Sequence, residues 1–261
     1  SHEIRTPLNG IVGFTELLKN TELDDEQKEF IQIIEKSSEN LLSIINNILD
    51  LSKIESNSIE IENITFNARE EFENAVEVYG VKSAEKNINL GFYYDPAIQN
   101  PLKGDPTKIK EVIINLISNA IKFTNAGGEI DVEIKKLKSD SKNKAKIEFS
   151  VQDNGIGMTP DQQEKVFEAF GQADSSITRK YGGTGLGLTI SSQYIEKMGG
   201  GLHLESEQGK GTRFYFTLEF DELPTVGEER PNFNDISFAR LTSSKHKKQD
   251  DYISTYLDHF G

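Results

Sequence analysis

The 261 residues carry 43 Asp and Glu against 29 Lys and Arg, a formal net charge of −14, and no cysteine. The acidic balance argues against a nucleic-acid surface, and without cysteine there are no disulfides, no thiolate metal site and no catalytic thiol, which fits a reducing compartment. Every apolar run is far shorter than the ~18–20 residues of a membrane span and no signal peptide is visible, so the sequence reads as soluble, with one or two domains and enough chain for a core.

Residues 1–56 read as two helices. Ile4, Leu8, Ile11, Thr15 and Leu18 alternate four- and three-residue steps, and after the polar stretch Asn20 to Glu26 a longer series follows: Phe30, Ile34, Ser37, Leu41, Ile44, Ile48 and Leu51. This series holds a heptad period. Phe14, Leu17, Ile33 and Ile45 widen the apolar face. One hairpin has little core of its own, so the expectation is a four-helix bundle completed by a second copy of the chain.

Residues 57–221 change character. Phe72, Ala75, Val76 and Tyr79 suggest one helix; Ile109, Val112, Ile113, Leu116, Ile117, Ala120 and Ile121 make a strongly amphipathic second one, with Gly127-Gly128 as a stop. Period-two alternation follows in Ile130, Val132, Ile134 and in Ile147, Phe149, Val151, joined as a hairpin by the polar Lys138–Lys144 segment. Leu202 and Leu204, then Phe214, Phe216, Leu218 and Phe220, give two more strands. The fold class is α+β: a helical hairpin, then an α/β sandwich with a mainly antiparallel sheet. Residues 222–261 open with a linker marked by Pro224, Gly227 and Pro231; Ile236, Phe238 and Leu241 suggest a short strand, and Tyr252, Ile253, Tyr256, Leu257 and Phe260 a helix closed by Gly261.

The chemistry concentrates in five short blocks. Gly182-Gly183-Thr184-Gly185-Leu186-Gly187 stands directly before an amphipathic run, Leu188, Ile190, Tyr194 and Ile195. Such a turn presents free backbone N–H groups and the positive end of a helix dipole, which suits phosphate oxygens. Upstream lie Asp153-Asn154-Gly155-Ile156-Gly157, then Phe167-Glu168-Ala169-Phe170, and earlier Asn115-Leu116-Ile117-Ser118-Asn119-Ala120-Ile121-Lys122-Phe123-Thr124. The chain opens with Ser1-His2-Glu3-Ile4-Arg5-Thr6-Pro7-Leu8-Asn9. Pro7 would clash with the carbonyl four residues back, that of Glu3, a strain of ~3 kcal/mol one turn from the histidine.

Taken along the chain, from Ser1–Asn9 to the glycine-rich turn before Leu188, the five blocks resemble the H, N, G1, F and G2 boxes of sensor histidine kinases and stand in that family's order; the resemblance covers roughly residues 1–221. It implies an ATP-binding domain of histidine-kinase-like type over residues 57–221 behind a dimerisation and phosphoacceptor hairpin over residues 1–56. It also implies a homodimer in the cytoplasm, ATP and Mg²⁺ as cofactors, and the receiver domain of a response regulator as partner. His2 becomes the phosphoryl acceptor, because a neutral imidazole is a good nucleophile near neutral pH. Glu3 becomes its acid/base, and Thr6 the residue that places water for dephosphorylating the partner. Asn119 becomes the Mg²⁺ ligand; Mg²⁺ takes oxygen ligands and leaves most of its shell to phosphate and water. Asn115 stands one turn earlier, where related ATPases of this fold carry a water-activating glutamate, and an amide cannot be a general base. Asp153 becomes the acceptor of the adenine amino group, with Gly155 and Gly157 letting the backbone approach the base. Lys122 and Arg179 are candidate phosphate contacts, Arg179 equally a solvated cation. Phe123 stands where many relatives have tyrosine. Gly183, Thr184, Gly185, Leu186, Gly187 and Thr212 complete the expected nucleotide contacts, and the polar stretch from Ala173 to Gly183 reads as a lid. Phe167 and Phe170 fit a lid hinge or plain core.

Two rivals remain open on the residues alone: an ATPase of the same fold that hydrolyses ATP or phosphorylates serine, and a nucleotide-binding scaffold without chemistry. The acceptor helix of the family extends well before its histidine, so the first turn here should fray and the chain looks cut from a longer sensor, of a kind that a membrane can anchor. Residues 232–261 follow the outline of the first strand and helix of a receiver. Arg240-Leu241-Thr242-Ser243 stands where the receiver's acidic pair should be, so the expectation is a truncated receiver-like start without a phosphorylation site, weakly docked or mobile.

Overall fold

Two antiparallel helices open the chain in the computed structural model, which describes residues 2–139, 141, 143–169, 185–224 and 247–260, with the backbone alone for His2, Glu3, Arg5, Lys247 and Phe260. Helix α1 spans His2–Lys19 and carries Pro7 inside it; α2 spans Asp25–Glu55. A capping box starts α2: Gln27 N–H donates to Asp24 Oδ1 at 2.8 Å, and Asp24 N–H donates to Gln27 Oε1 at 3.0 Å, which satisfies two of the donors a helix start leaves open. Leu8, Thr15, Ile31 and Ser38 are buried, and a Lys19–Glu35 ion pair joins the two helices near the turn. The wider apolar face stays in solvent: Ile4, Ile11, Phe14, Leu17, Phe30, Ile34, Leu41 and Ile48 are exposed, Phe14 to 71%.

The sandwich follows. Its elements are β1 (Ile64–Phe66), α3 (Ala68–Glu85), β2 (Asn89–Tyr94), β3 (Leu102–Gly104), α4 (Pro106–Phe123), β4 (Glu129–Leu137), β5 (Lys144–Asp153), α5 (Pro160–Lys165), α6 (Gly187–Lys197), β6 (Leu202–Glu207) and β7 (Gly211–Glu222). The sheet order is β1-β3-β7-β5-β4-β2. Strand β6 shares β7's edge with β3, pairing Gly211–Phe216 while β3 takes Asp221 and Glu222. All pairings are antiparallel except β2 with β4, which is parallel. Alternation sends Ile130, Val132, Ile134, Ala145, Ile147, Phe149, Val151, Phe214, Phe216, Leu218 and Phe220 to one face. There they meet Phe72 and Val76 of α3, the Ile109–Ala120 stripe of α4, and Ile190, Tyr194 and Ile195 of α6 in one core. Phe149 stacks on Phe216 with centroids 4.9 Å apart and meets Phe72 edge-on at 5.3 Å. Ile54, in the last turn of α2, is buried in this same core.

The amphipathic helix and both long strand pairs stand where the periodicity predicts them. Strands β1, β2, β3 and helix α5 are additions. The helix expected near Gln249–Gly261 is present as α7 (Lys247–Phe260), whereas the strand expected at Ile236–Leu241 lies outside the described residues. Helix α7 lies on the sheet face opposite the core helices. Tyr252 stacks on Tyr93 at 4.4 Å and bonds Glu133, and Lys248 Nζ reaches Asp131 Oδ2 and Gln152 Oε1, each at 3.0 Å. Burial pushes the Glu133 carboxyl up, but the hydrogen bonds of Lys135 and Tyr252 and the charges of Lys135 and Lys248 outweigh it and hold it below the ordinary value.

Candidate nucleotide-binding site

Helix α4 supplies the first wall. Asp105 caps it, accepting from Lys108 N–H at 2.9 Å through Oδ1 and from Glu62 N–H at 3.0 Å through Oδ2. Its apolar stripe faces the sheet, which sets Asn115 and Asn119, one turn apart, half-buried on a common flank. At its far end Lys86 Nζ donates to the carbonyls of Ile121 and Lys122 at 2.6 and 3.1 Å, satisfying acceptors that a helix end leaves open. The Lys122 ammonium lies 4.8 Å from the Phe123 ring centroid, and burial lowers its pKa.

The end of β5 supplies the second wall. Asp153 is only 9% exposed. Its Oδ1 accepts from Gly155 N–H at 2.8 Å, and the backbone N–H of Thr212, its partner across the ladder to β7, also bonds the carboxylate. Burial pushes its pKa above the ordinary value, and the two N–H donors offset this only in part. A Cβ on Gly155 would stand 2.5 Å from the Phe123 carbonyl oxygen, and one on Gly157, whose φ is +61°, 2.0 Å from that of Glu207. No side chain fits at either position, so the loop runs as bare backbone between the end of α4 and the β6–β7 turn. Ser206 ties that turn together: its Oγ accepts from Met158 N–H at 2.9 Å, donates to the Gly211 carbonyl at 2.9 Å and lies 3.0 Å from Thr212 Oγ1. Gln163 Nε2 clasps the carbonyls of Met158 and Ser206 at 3.1 and 2.9 Å. Neither Ser206 nor Gln163 was marked by the sequence; both stand in polar stretches with no pattern to single them out.

The start of α6 supplies the third wall. Gly185 has φ +70°, Leu186 is fully buried, and Gly187 is the first helical residue. Among the described residues no side chain caps this helix start. Gly187 lies against Asn115: a Cβ there would be 2.6 Å from Asn115 Oδ1. The amide Nδ2 of Asn115 donates to Ser191 Oγ at 3.0 Å. Phe167 packs edge-on against Phe214 at 6.3 Å and its carbonyl accepts from Thr189 Oγ1 at 3.0 Å, so it is a core contact. Phe170, Arg179, Gly183 and Thr184, with the whole of the expected lid, lie outside the described residues.

The structure thus gathers Asn115, Asn119, Lys122, Phe123, Asp153, Gly155, Gly157, Gly185, Leu186, Gly187 and Thr212 along α4 and the adjoining ends of β5, β7 and α6. His2, Glu3 and Thr6 stand apart on α1, which packs against α2; Thr6 is exposed, and the side chains of His2 and Glu3 lie outside the described residues.

Residues 1–57 match the family model "His Kinase A (phospho-acceptor) domain", and residues 104–222 match "Histidine kinase-, DNA gyrase B-, and HSP90-like ATPase", together more than half of the chain. The chain belongs to the sensor histidine kinases. It is 39% identical over 241 residues to the signal transduction histidine-protein kinase BarA of Escherichia coli (strain K12), which covers 92% of this chain and 26% of that protein. It is 41% identical over 246 residues to the sensor protein GacS of Pseudomonas syringae pv. syringae, 94% of this chain and 26% of that protein. The chain therefore spans about a quarter of the length of these relatives. Among solved structures, full-length ShkA in complex with AMPPNP superposes with a TM-score of 0.72 at 30% identity over 88% of this chain and 46% of ShkA. The complex of histidine kinase ThkA with response regulator protein TrrA gives 0.56 at 29% identity over 85% of this chain and 59% of the matched chain. Among the described residues no helix is long and apolar enough to cross a membrane.

Proposed function

We propose that this kinase core binds Mg·ATP between α4, the end of β5 and the start of α6, moves the γ-phosphoryl group to His2, and passes it to an aspartate on a response-regulator receiver domain. The observation that carries the reading is the Asp153 pocket: a buried carboxylate oriented by two backbone N–H groups, with bare glycine backbone beside it. That donor set fits adenine, whose amino group gives a hydrogen bond to an ionised acceptor while the flat ring needs a wall without side chains. The uncapped start of α6 leaves backbone N–H groups for phosphate oxygens. Asn119 would hold Mg²⁺ through its amide oxygen, with Lys122 at the end of the same helix as a phosphate contact. When bound, the metal supplies neutralisation of phosphate charge. The chain's own part is to orient the nucleotide, present His2 Nε2 or Nδ1 as nucleophile, and let Glu3 hold the proton on the other ring nitrogen. Asn115 disfavours simple hydrolysis, since an amide cannot take a proton from water.

The exposed stripes of α1 and α2 support a homodimer in which two hairpins form a four-helix bundle. The GacS and BarA likeness supports membership of a larger signalling protein, and Thr6 a response-regulator phosphatase activity. The test is radiolabel transfer from ATP in the full-length protein. Acid-labile, base-stable phosphoprotein that His2→Gln abolishes is expected, with ATP binding retained. Acid-stable label, or label persisting in His2→Gln, would overturn the assignment.

A further inference from the structure

We infer that Ser191 is a positioning residue for the nucleotide site, fixing the amide of Asn115 so that its nitrogen faces α6 and its oxygen faces the start of that helix. The inference rests on the proposed nucleotide site. Ser191 is 3% exposed, on the second turn of α6, and its hydroxyl accepts from Asn115 Nδ2 at 3.0 Å. The other end of the same amide lies over Gly187, one turn earlier, where a Cβ would come within 2.6 Å of Oδ1. Asn115 is thus wedged across one turn of α6: a glycine admits it and a serine holds it.

The chemistry of the two ends decides the consequence. An amide has two donors at nitrogen and two lone pairs at oxygen, and the flip that sends nitrogen to α6 is chosen by its partner. A serine inside a helix can give its own proton to the carbonyl one turn back, which leaves its lone pairs for Asn115. The oxygen is then set toward the uncapped N-terminus of α6, beside Asn119's turn of α4, as an acceptor for a cation or for metal-bound water. Without the hydroxyl the amide loses the partner of its nitrogen, and the flip that turns a donor nitrogen to the donor-rich helix start rises to about half of the population. The helices do not depend on this bond alone. Lys108 Nζ reaches Tyr194 Oη at 3.3 Å two turns away along α4, and Ile190, Tyr194 and Ile195 keep α6 in the core.

The test is calorimetric titration of ATP with and without Mg²⁺ on the wild type, Ser191→Ala, Asn115→Ala and the double variant, with Ser192→Ala as surface control, since Ser192 Oγ turns instead to Glu196 at 3.1 Å. Ser191→Ala should weaken Mg·ATP binding about twofold, as a competent amide flip populated about half the time requires, while Mg²⁺-free ATP binding changes little. The double variant should bind no more weakly than Asn115→Ala alone. In the nucleotide-free protein, the side-chain NH₂ resonances of Asn115 should shift and exchange faster in Ser191→Ala, while the core resonances stay in place. Multiplicative losses in the double variant, or wild-type Mg·ATP affinity in Ser191→Ala with a weakened Asn115→Ala, would overturn this inference and leave the site reading standing. Wild-type Mg·ATP binding in Asn115→Ala would overturn this inference too, whereas unchanged ATP binding in Asp153→Asn would overturn the site reading itself.

Discussion

Phe14 in the hairpin stands 71% exposed, whereas Phe72 and Phe149 in the sandwich are sealed, although all three belong to regular apolar repeats. The sandwich closes its repeats on themselves: three helices and a seven-stranded sheet meet in one core. Among the described residues the hairpin has a narrow seam, Leu8, Thr15, Ile31 and Ser38, two of whose four members are polar. A contiguous exposed apolar face of this kind marks an association surface. The same periodicity therefore specifies a self-contained domain in one region and a requirement for a partner in the other.

Five substitutions break or sharpen this contrast. The largest effect is expected at the hairpin's chemical position: His2→Gln should remove phosphoprotein entirely while ATP affinity, a property of the sandwich, stays within twofold, as measured by radiolabel and calorimetry. Next, Phe149→Ala should cost the sandwich about 3–5 kcal/mol in denaturant unfolding, whereas Phe14→Glu should leave that transition in place and shift sedimentation from dimer to monomer; a sandwich unfolded by Phe14→Glu would erase the distinction. Third, Asp153→Asn should weaken ATP binding by about 1.5–3 kcal/mol, the range for hydrogen bonds to a charged group, and yet raise the melting temperature of the nucleotide-free protein. The sign follows from the raised pKa of Asp153. A carboxyl that binds its proton more tightly folded than unfolded favours the fold at pH values below the unfolded pKa, near 3.8, and that contribution is lost as pH rises through the higher folded value. At neutral pH the buried charge is a burden that asparagine lifts. Smallest, Thr6→Ala should leave autophosphorylation intact and slow only regulator dephosphorylation, followed by loss of labelled regulator over time.

What the sequence made legible follows the same division. Long elements with one buried face, α4, β4, β5 and β7, announce themselves, because each repeats a simple period over 9 to 18 residues. Strands β1 and β3 are three residues each and carry no period. Strand β2 contains Gly91 and is covered on both faces, by the core and by α7, so its Asn-Leu-Gly-Phe-Tyr-Tyr does not alternate. Glu133 reads as a solvent-facing member of β4, and only the arrival of Tyr252 and Lys248 buries it. At the site, Asp153 and the glycines were visible because their backbone demands are local. Ser191 was not, since a serine among Ile190, Tyr194 and Ile195 shows its role only when α4 is laid against α6.

Ile54 gives the molecule a mechanical property. Helix α2, with 31 residues, is a rod of about 46 Å at 1.5 Å per residue. Its last turn seats Ile54 among the side chains that support the nucleotide site. A shaft journaled in this way cannot be turned about its long axis without unseating that residue or carrying the sandwich round with it. Torque applied near the phosphoacceptor end is thus geared to the orientation of the ATP-binding head, and the softness of the Ile54 seat sets how much of the rotation is transmitted.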